Sequence, residues 1–273
     1  MNDVQTCLLS MYNDIAAVLD AHGFRYYALY GTAIGTVRHN GFIPWDNDID
    51  LGVWAEDLPA VMDALESDLD KERYYVHDPT ADTHPHVMLR TEDMEKGLGS
   101  EQTPFIDIFP IERYPEGRFR RAVSFAAVWG LHIWVTALNR VRPLAVHRML
   151  SWIPAGHMRL AELMPEEGSR TTAIYTTAFA KELFPADWYG TPVRHRFEDT
   201  EIPLPEKWDL LLTAEFGDYM TPPPEDQRTG AKGFPLSVLK DYIMEKRGID
   251  CRRIRRRRFI CRRRGCSSRG RRR

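Results

Sequence analysis

The stretch "IPWDNDIDLGV", residues 43–53, sets three aspartates, Asp46, Asp48 and Asp50, at alternate positions in an otherwise apolar run. In an extended chain every second side chain shares a face, so the three carboxylates point one way while Ile49 and Leu51 point into sheet packing. Three anions on one face repel each other, and without a cation their pKa values rise and the sheet is destabilised. A solvated acidic edge or a helix N-terminus attracting acids would also gather aspartates. Pro44-Trp45 before them, and Ile49, Leu51 and Val53 among and after them, argue instead for a packed strand.

A second carboxylate supports the cation. In "TPFIDIFPI", residues 103–111, Asp107 is the single charge. An ionised carboxylate among Phe105, Ile106, Ile108 and Phe109 is costly unless it is paired, for example with Arg90, or coordinated. Beside the first acids on a neighbouring strand it completes a set of oxygen donors, which suits Mg²⁺ or Mn²⁺ better than zinc. The histidines of His84-Pro85-His86 match no strong zinc spacing.

Upstream, Gly31-Thr32 lies where an aromatic strand, "FRYYALYG" (24–31), hands over to a short helix. Backbone N–H groups and the helix dipole at such a junction can receive phosphate. Arg38 follows Gly31 by seven residues, about two helical turns, so its side chain leans back toward the helix start. An ordinary surface arginine is the plainer reading of the same residue.

The chain of 273 residues is 43% hydrophobic and carries a formal net charge of −2, which conceals a split. Thirteen of its 37 basic residues are arginines within 252–273, leaving the rest with 24 basic against 39 acidic residues. An acidic body argues against nucleic acid as partner. Of four cysteines, three (Cys251, Cys261, Cys266) lie in that tail, leaving Cys7 alone in the body, which suits a reducing compartment. The N-terminus lacks a basic region ahead of its apolar residues and does not resemble a signal peptide. A cytoplasmic location, with membrane association as an option, is the expectation.

Periodicity predicts a helix over about 3–21 and another through Leu58, Val61, Met62, Leu65 and Leu69, with strands at 74–77, 86–91 and 105–109. This order indicates an α+β catalytic core over 1–112, a mixed sheet flanked by helices. A helical region follows over 113–250. Within it, residues 122–138 run seventeen positions without a formal charge, short for a membrane span and suited to a buried or membrane-surface helix. The arginine-rich tail, 251–273, cannot bury enough apolar surface to fold. Anionic lipid, nucleic acid and an altered reading frame are open explanations of it.

Taken together, "YGTAIGTVRHNGFIPWDNDIDLGV" (30–53), "FIDIFPI" (105–111) and "FEDTEIPLPEKWDLLLTAEFGDYMTPPPEDQ" (197–227) resemble the LicD family of phosphocholine transferases and the fukutin-related enzymes sharing its core. The resemblance spans roughly 5–230 and is weakest in the middle. Asn47 stands where an acid is frequent, and Phe216 where tyrosine is usual. The family implies a nucleotidyltransferase-like core and transfer of phosphocholine, or a related alcohol phosphate, from a CDP-activated donor to a sugar hydroxyl. The acceptor would be a cell-surface glycan, lipopolysaccharide or teichoic-acid precursor.

By the same resemblance Asp48 and Asp50 are the principal metal ligands, Asp46 a further ligand directly or through water, and Asp107 a ligand or the general base. Gly31, Thr32 and Arg38 would meet the donor's phosphates or nucleotide. Trp45 is a donor-stacking wall or a plain core residue, and Trp188, Tyr189 and Trp208 are candidate faces for a choline head group. Glu198 and Asp218 would orient the acceptor or cap turns. Two rival functions stay open: a strict nucleotidyltransferase, and a non-catalytic glycan- or membrane-binding scaffold.

Overall fold

The computed structural model describes residues 1–77, 85–90, 103–114, 171–174 and 184–228, with single helical positions at Phe119, Gly130 and Ile133. These all belong to one unit, Met1–Gly233. Helix α1 (Asp3–Ala21) starts at Asn2, whose side chain accepts the Gln5 N–H while the Gln5 side chain accepts the Asn2 N–H, a reciprocal cap. Its apolar stripe of Val4, Leu8, Met11, Ile15 and Leu19 is buried, as the 3.6-residue period requires.

Strand β1 (Tyr26–Ala28) is shorter than the aromatic run suggested, because Tyr30 turns into the left-handed region (φ 45°) and opens α2 (Tyr30–His39). Then come β2 (Asp50–Trp54), α3 (Leu58–Asp68), β3 (Tyr74–His77), β4 (His86–Leu89) and β5 (Phe105–Tyr114). Beyond these lie β6 (Thr171–Ile174), β7 (Phe184–Pro185), the hairpin β8 (Val193–Phe197) and β9 (Thr200–Leu204), and α4 (Trp208–Phe216). The part expected to be helical after 112 is described only in these pieces, where strands outnumber helices. Residues 251–273 fall outside the described residues, as does the 122–138 run apart from Gly130 and Ile133. No described helix is long and apolar enough to cross a membrane.

The sheet runs β1-β2-β5-β4-β3, with β6 added to β5 and β7 to β6. It is mixed: β2 and β5 are parallel, and the other pairs antiparallel. With four described helices around it, the α+β reading holds. Parallel strands need apolar cover on both faces, and both faces have it. On one, Tyr26 sits opposite Val53 and its hydroxyl donates to Asp20 Oδ1 of α1 at 3.3 Å, and α1 also lies against β5 and α3. On the other, Tyr27, Leu29, Trp54, Phe109 and Ile111 bury together with Phe184, Tyr189 and Leu211 from the C-terminal elements. Each such side chain stabilises by about 1.5–3 kcal/mol relative to exposure, so residues 184–212 complete the core.

The quoted stretch departs from its expected form. Strand pairing begins only at Asp50, and Asp46 and Asp48 lie in irregular chain ahead of it. The cause is a turn at Pro44-Trp45, closed by Asp46 N–H donating to Ile43 O at 2.9 Å, which takes residues 43–48 off the ladder, and Ile49 O is the first to rejoin it by accepting the Asp107 N–H at 3.1 Å. The inward alternation survives it: Ile49, Leu51 and Val53 are fully buried.

Candidate active site

The register places Asp50 beside Asp107 on the parallel pair, and Asp107 opposite His86 on β4. Paired residues on adjacent strands share a face, so Asp50, Asp107 and His86 form one row across three strands. His86 Nδ1 lies 3.2 Å from Asp107 Oδ1, and both side chains are largely buried. Arg90 takes no part in that row. It donates to Tyr74 O at 3.1 Å and lies over the Tyr75 ring.

Asp50 is held at its post by α2. The Thr32 hydroxyl, buried at the first turn, accepts the Asp50 N–H at 2.9 Å, while Asp50 O accepts the Leu29 N–H at 3.0 Å. Thr32, expected against phosphate, thus ties the helix start to the strand start. Gly31 is where the chain comes closest: a Cβ there would overlap Asp46 Oδ2. Only glycine lets this carboxylate rest on the N-terminus of α2.

Asp46 is mostly withdrawn from water, which pushes its carboxyl above the usual range, partly offset by hydrogen bonds from the Asp48 side chain and the Asn47 backbone. The turn carrying them is gripped from α1: Gln5 Nε2, on a buried residue, donates to Ile43 O (3.2 Å) and Asp46 O (2.9 Å), and Asn2 Nδ2 donates to Asn47 Oδ1 (2.9 Å). Gln5 escaped sequence reasoning. Its only local signal is the capping partnership with Asn2.

Among the described residues, no three His, Cys, Asp or Glu side chains are drawn together closely enough to cage an ion. The carboxylates stand instead as two pairs, Asp46 with Asp48 and Asp50 beside Asp107. The donors are of the hard oxygen kind, and neighbouring carboxylates repel each other unless a cation lies between them. On that ground the residues fit a magnesium-type ion.

Arg38 lies at the far end of α2, where Nη1 donates to Tyr219 O at 2.6 Å and Nε to His39 Nε2 at 3.0 Å. Trp45 is half-buried, with His39 edge-on to its ring and the Arg228 guanidinium 4.3 Å from the ring centroid. Of the suggested choline faces, Tyr189 is fully buried in the core and offers none. Trp188 stacks on Phe184, and Trp208 meets His195 edge-on.

The late carboxylates act as caps. Glu198, in the left-handed region at the β8-β9 turn, accepts the Phe42 N–H at 3.0 Å and leaves no room for a Cβ on Gly41. It docks the hairpin on the chain leading to the aspartates. Asp218 accepts the Thr221 N–H at 3.2 Å, and this exposed carboxylate is held below its usual range by Thr221.

Residues 23–129 match the family model described as LicD/FKTN/FKRP, nucleotidyltransferase domain. The chain is 22% identical over 279 residues to the lipopolysaccharide cholinephosphotransferase LicD of Haemophilus influenzae, across 89% of this chain and 98% of that protein. It is 46% identical over 44 residues to the human ribitol 5-phosphate transferase FKRP, covering 16% of this chain and 9% of that one. An uncharacterised protein of Rickettsia prowazekii, RP689, is 38% identical over 50 residues, 18% of this chain and 19% of that protein. The segment carrying Gly31, the aspartate turn and Asp107 thus lies within the match to the LicD-family model, as the sequence motifs indicated.

Proposed function

We propose that this protein is a phosphoryl transferase of the LicD type that modifies a glycan or lipopolysaccharide acceptor, moving phosphocholine or a related alcohol phosphate from a CDP-linked donor. The observation that carries the reading is the placement of two carboxylate pairs, Asp46 with Asp48 and Asp50 beside Asp107, around the start of β2 within the segment that matches the LicD-family model. The sheet is taken as a nucleotidyltransferase-like core. A relative named for the same transfer, aligned over most of both chains, supports the assignment.

In this reading Asp48 and Asp50 hold a magnesium-type ion, with Asp46 as a further ligand. When bound, the ion neutralises the donor's diphosphate and the charge developing on the transferring group. Thr32 fixes the position of Asp50, and Gly31 lets Asp46 approach the helix start. Asp107, backed by His86, serves as a ligand or takes the proton of the attacking hydroxyl. The acceptor oxygen forms a bond to the alcohol-bearing phosphorus, the bridging P–O bond breaks, and CMP leaves.

Incubation with labelled CDP-choline, Mg²⁺ and a lipopolysaccharide acceptor tests this. Release of CMP with label in the glycan is expected. A nucleotidylated acceptor would instead establish a strict nucleotidyltransferase, and the absence of any transfer across CDP-linked choline, ethanolamine, glycerol and ribitol would refute the proposal.

A further inference from the structure

Two cations converge beside the aspartate turn, and among the described residues no buried acid pairs with either. Arg38, half-buried, has only neutral partners among the described residues, the Tyr219 carbonyl and the His39 ring. Arg228 lies over Trp45, donates from Nε to Pro223 O at 3.0 Å, and among the described residues pairs with only one acid, the exposed Glu225 carboxylate, 3.5 Å from Nη1. A water-exposed contact of that length contributes little neutralisation.

The groups are linked by contact: Arg38 to His39, His39 to Trp45, Trp45 to Arg228. Burial, and then the charge of Arg228, lower the Arg38 pKa from its ordinary value. Like charges held together by the fold repel, and more so where water is partly excluded. A bound anion would relieve the repulsion, and guanidinium forks suit phosphate oxygens bidentately. Trp45 immediately precedes Asp46, so the ring that carries Arg228 belongs to the turn that carries the aspartates.

We infer that Arg38 and Arg228, braced by the Trp45 ring, form a diphosphate-binding subsite beside the aspartate turn. It goes beyond the expectation for Arg38 alone: the subsite is completed by a residue from the far end of the chain, and Trp45 is there to carry Arg228. Where it would hold the donor's diphosphate in the transfer proposed above, it rests on that reading. Its affinity for an inorganic diphosphate does not.

The test is calorimetric binding of inorganic pyrophosphate to the full chain without divalent ions, so that neither the metal nor turnover enters. Wild type is expected to bind, Arg228→Gln and Arg38→Gln at least tenfold more weakly, and Arg228→Lys between them. Arg194→Gln, on the hairpin where Arg194 pairs with Asp20, should match wild type. Arg38 braces Tyr219, so Arg228→Gln, half-exposed and outside the core, decides the matter if Arg38→Gln unfolds. Binding unchanged in a folded Arg228→Gln, or undetectable in wild type, overturns the subsite. Loss of binding in that variant while wild type releases no CMP from CDP-choline would support the subsite and refute the donor assignment separately.

Discussion

Gln5 Nε2 donates to Asp46 O at 2.9 Å, so the first turn of α1 fixes the turn that carries the aspartates. The same amide nitrogen reaches Ile43 O, and its oxygen accepts the Asn2 N–H at 3.0 Å. Gln5→Leu keeps the volume and strands two carbonyls and a helix cap. A loss of about 1–3 kcal/mol is expected, the usual cost of unsatisfied buried polar groups. Urea unfolding measures it, and turnover should fall further than stability explains because Asp46 loses its anchor.

Thr32→Val removes the acceptor of the Asp50 N–H while preserving shape. It should cost about 1–3 kcal/mol and lower kcat, whereas Thr32→Ser retains the hydroxyl and should restore most of both. If valine and serine behave alike in melts and turnover, the tie between α2 and β2 is unimportant.

Gly31→Ala places a methyl group on Asp46 Oδ2. The carboxylate must move, so turnover should drop at least tenfold with a smaller change in melting temperature. An alanine variant of normal activity would show that the approach of Asp46 to the helix start is dispensable.

Asp46 has a pH signature. A carboxyl raised in the folded state contributes stability that is fully present below its unfolded pKa and lost as pH rises through the folded value. Burial raises Asp46, so at neutral pH its charge weakens the fold. In EDTA, Asp46→Asn should therefore melt higher than wild type at pH 7.5, with the advantage vanishing near pH 3, while turnover with metal is abolished.

His39 titrates in the opposite sense. Burial, and then Arg38, lower its pKa below the ordinary 6.5. Its contribution is present above that unfolded value and is lost as pH falls through the lower folded one, when a third cation joins the arginines. His39→Gln should flatten the decline in melting temperature on acidification below pH 6.5. An unchanged decline would assign it to other groups.

Local signals made much of this legible. The stripe on α1, the aromatic and β-branched run of β3 and the apolar setting of Asp107 each bury an apolar face on the period of their element, so residue spacing alone places them. Asp107 next to Asp50 was likewise readable, because a lone charge in a buried strand needs company. The start of β2 was not. Alternating Asp46, Asp48 and Asp50 imitate a strand, while Gln5, Pro44 and the turn bond to Ile43 pull the first two off the ladder, and long-range bonds leave no local pattern. Arg228 was invisible for the same reason: its partner, Trp45, lies far away in the sequence, joined to it only by the fold.

Manganese titration followed by electron paramagnetic resonance tests the centre of the account most directly, because it reads the ion itself rather than a reaction. Wild type should bind Mn²⁺, with Mg²⁺ competing, and a folded Asp48→Asn plus Asp50→Asn variant should not. Equal binding by the two proteins, or none by wild type, would contradict the claim that these carboxylates hold a metal.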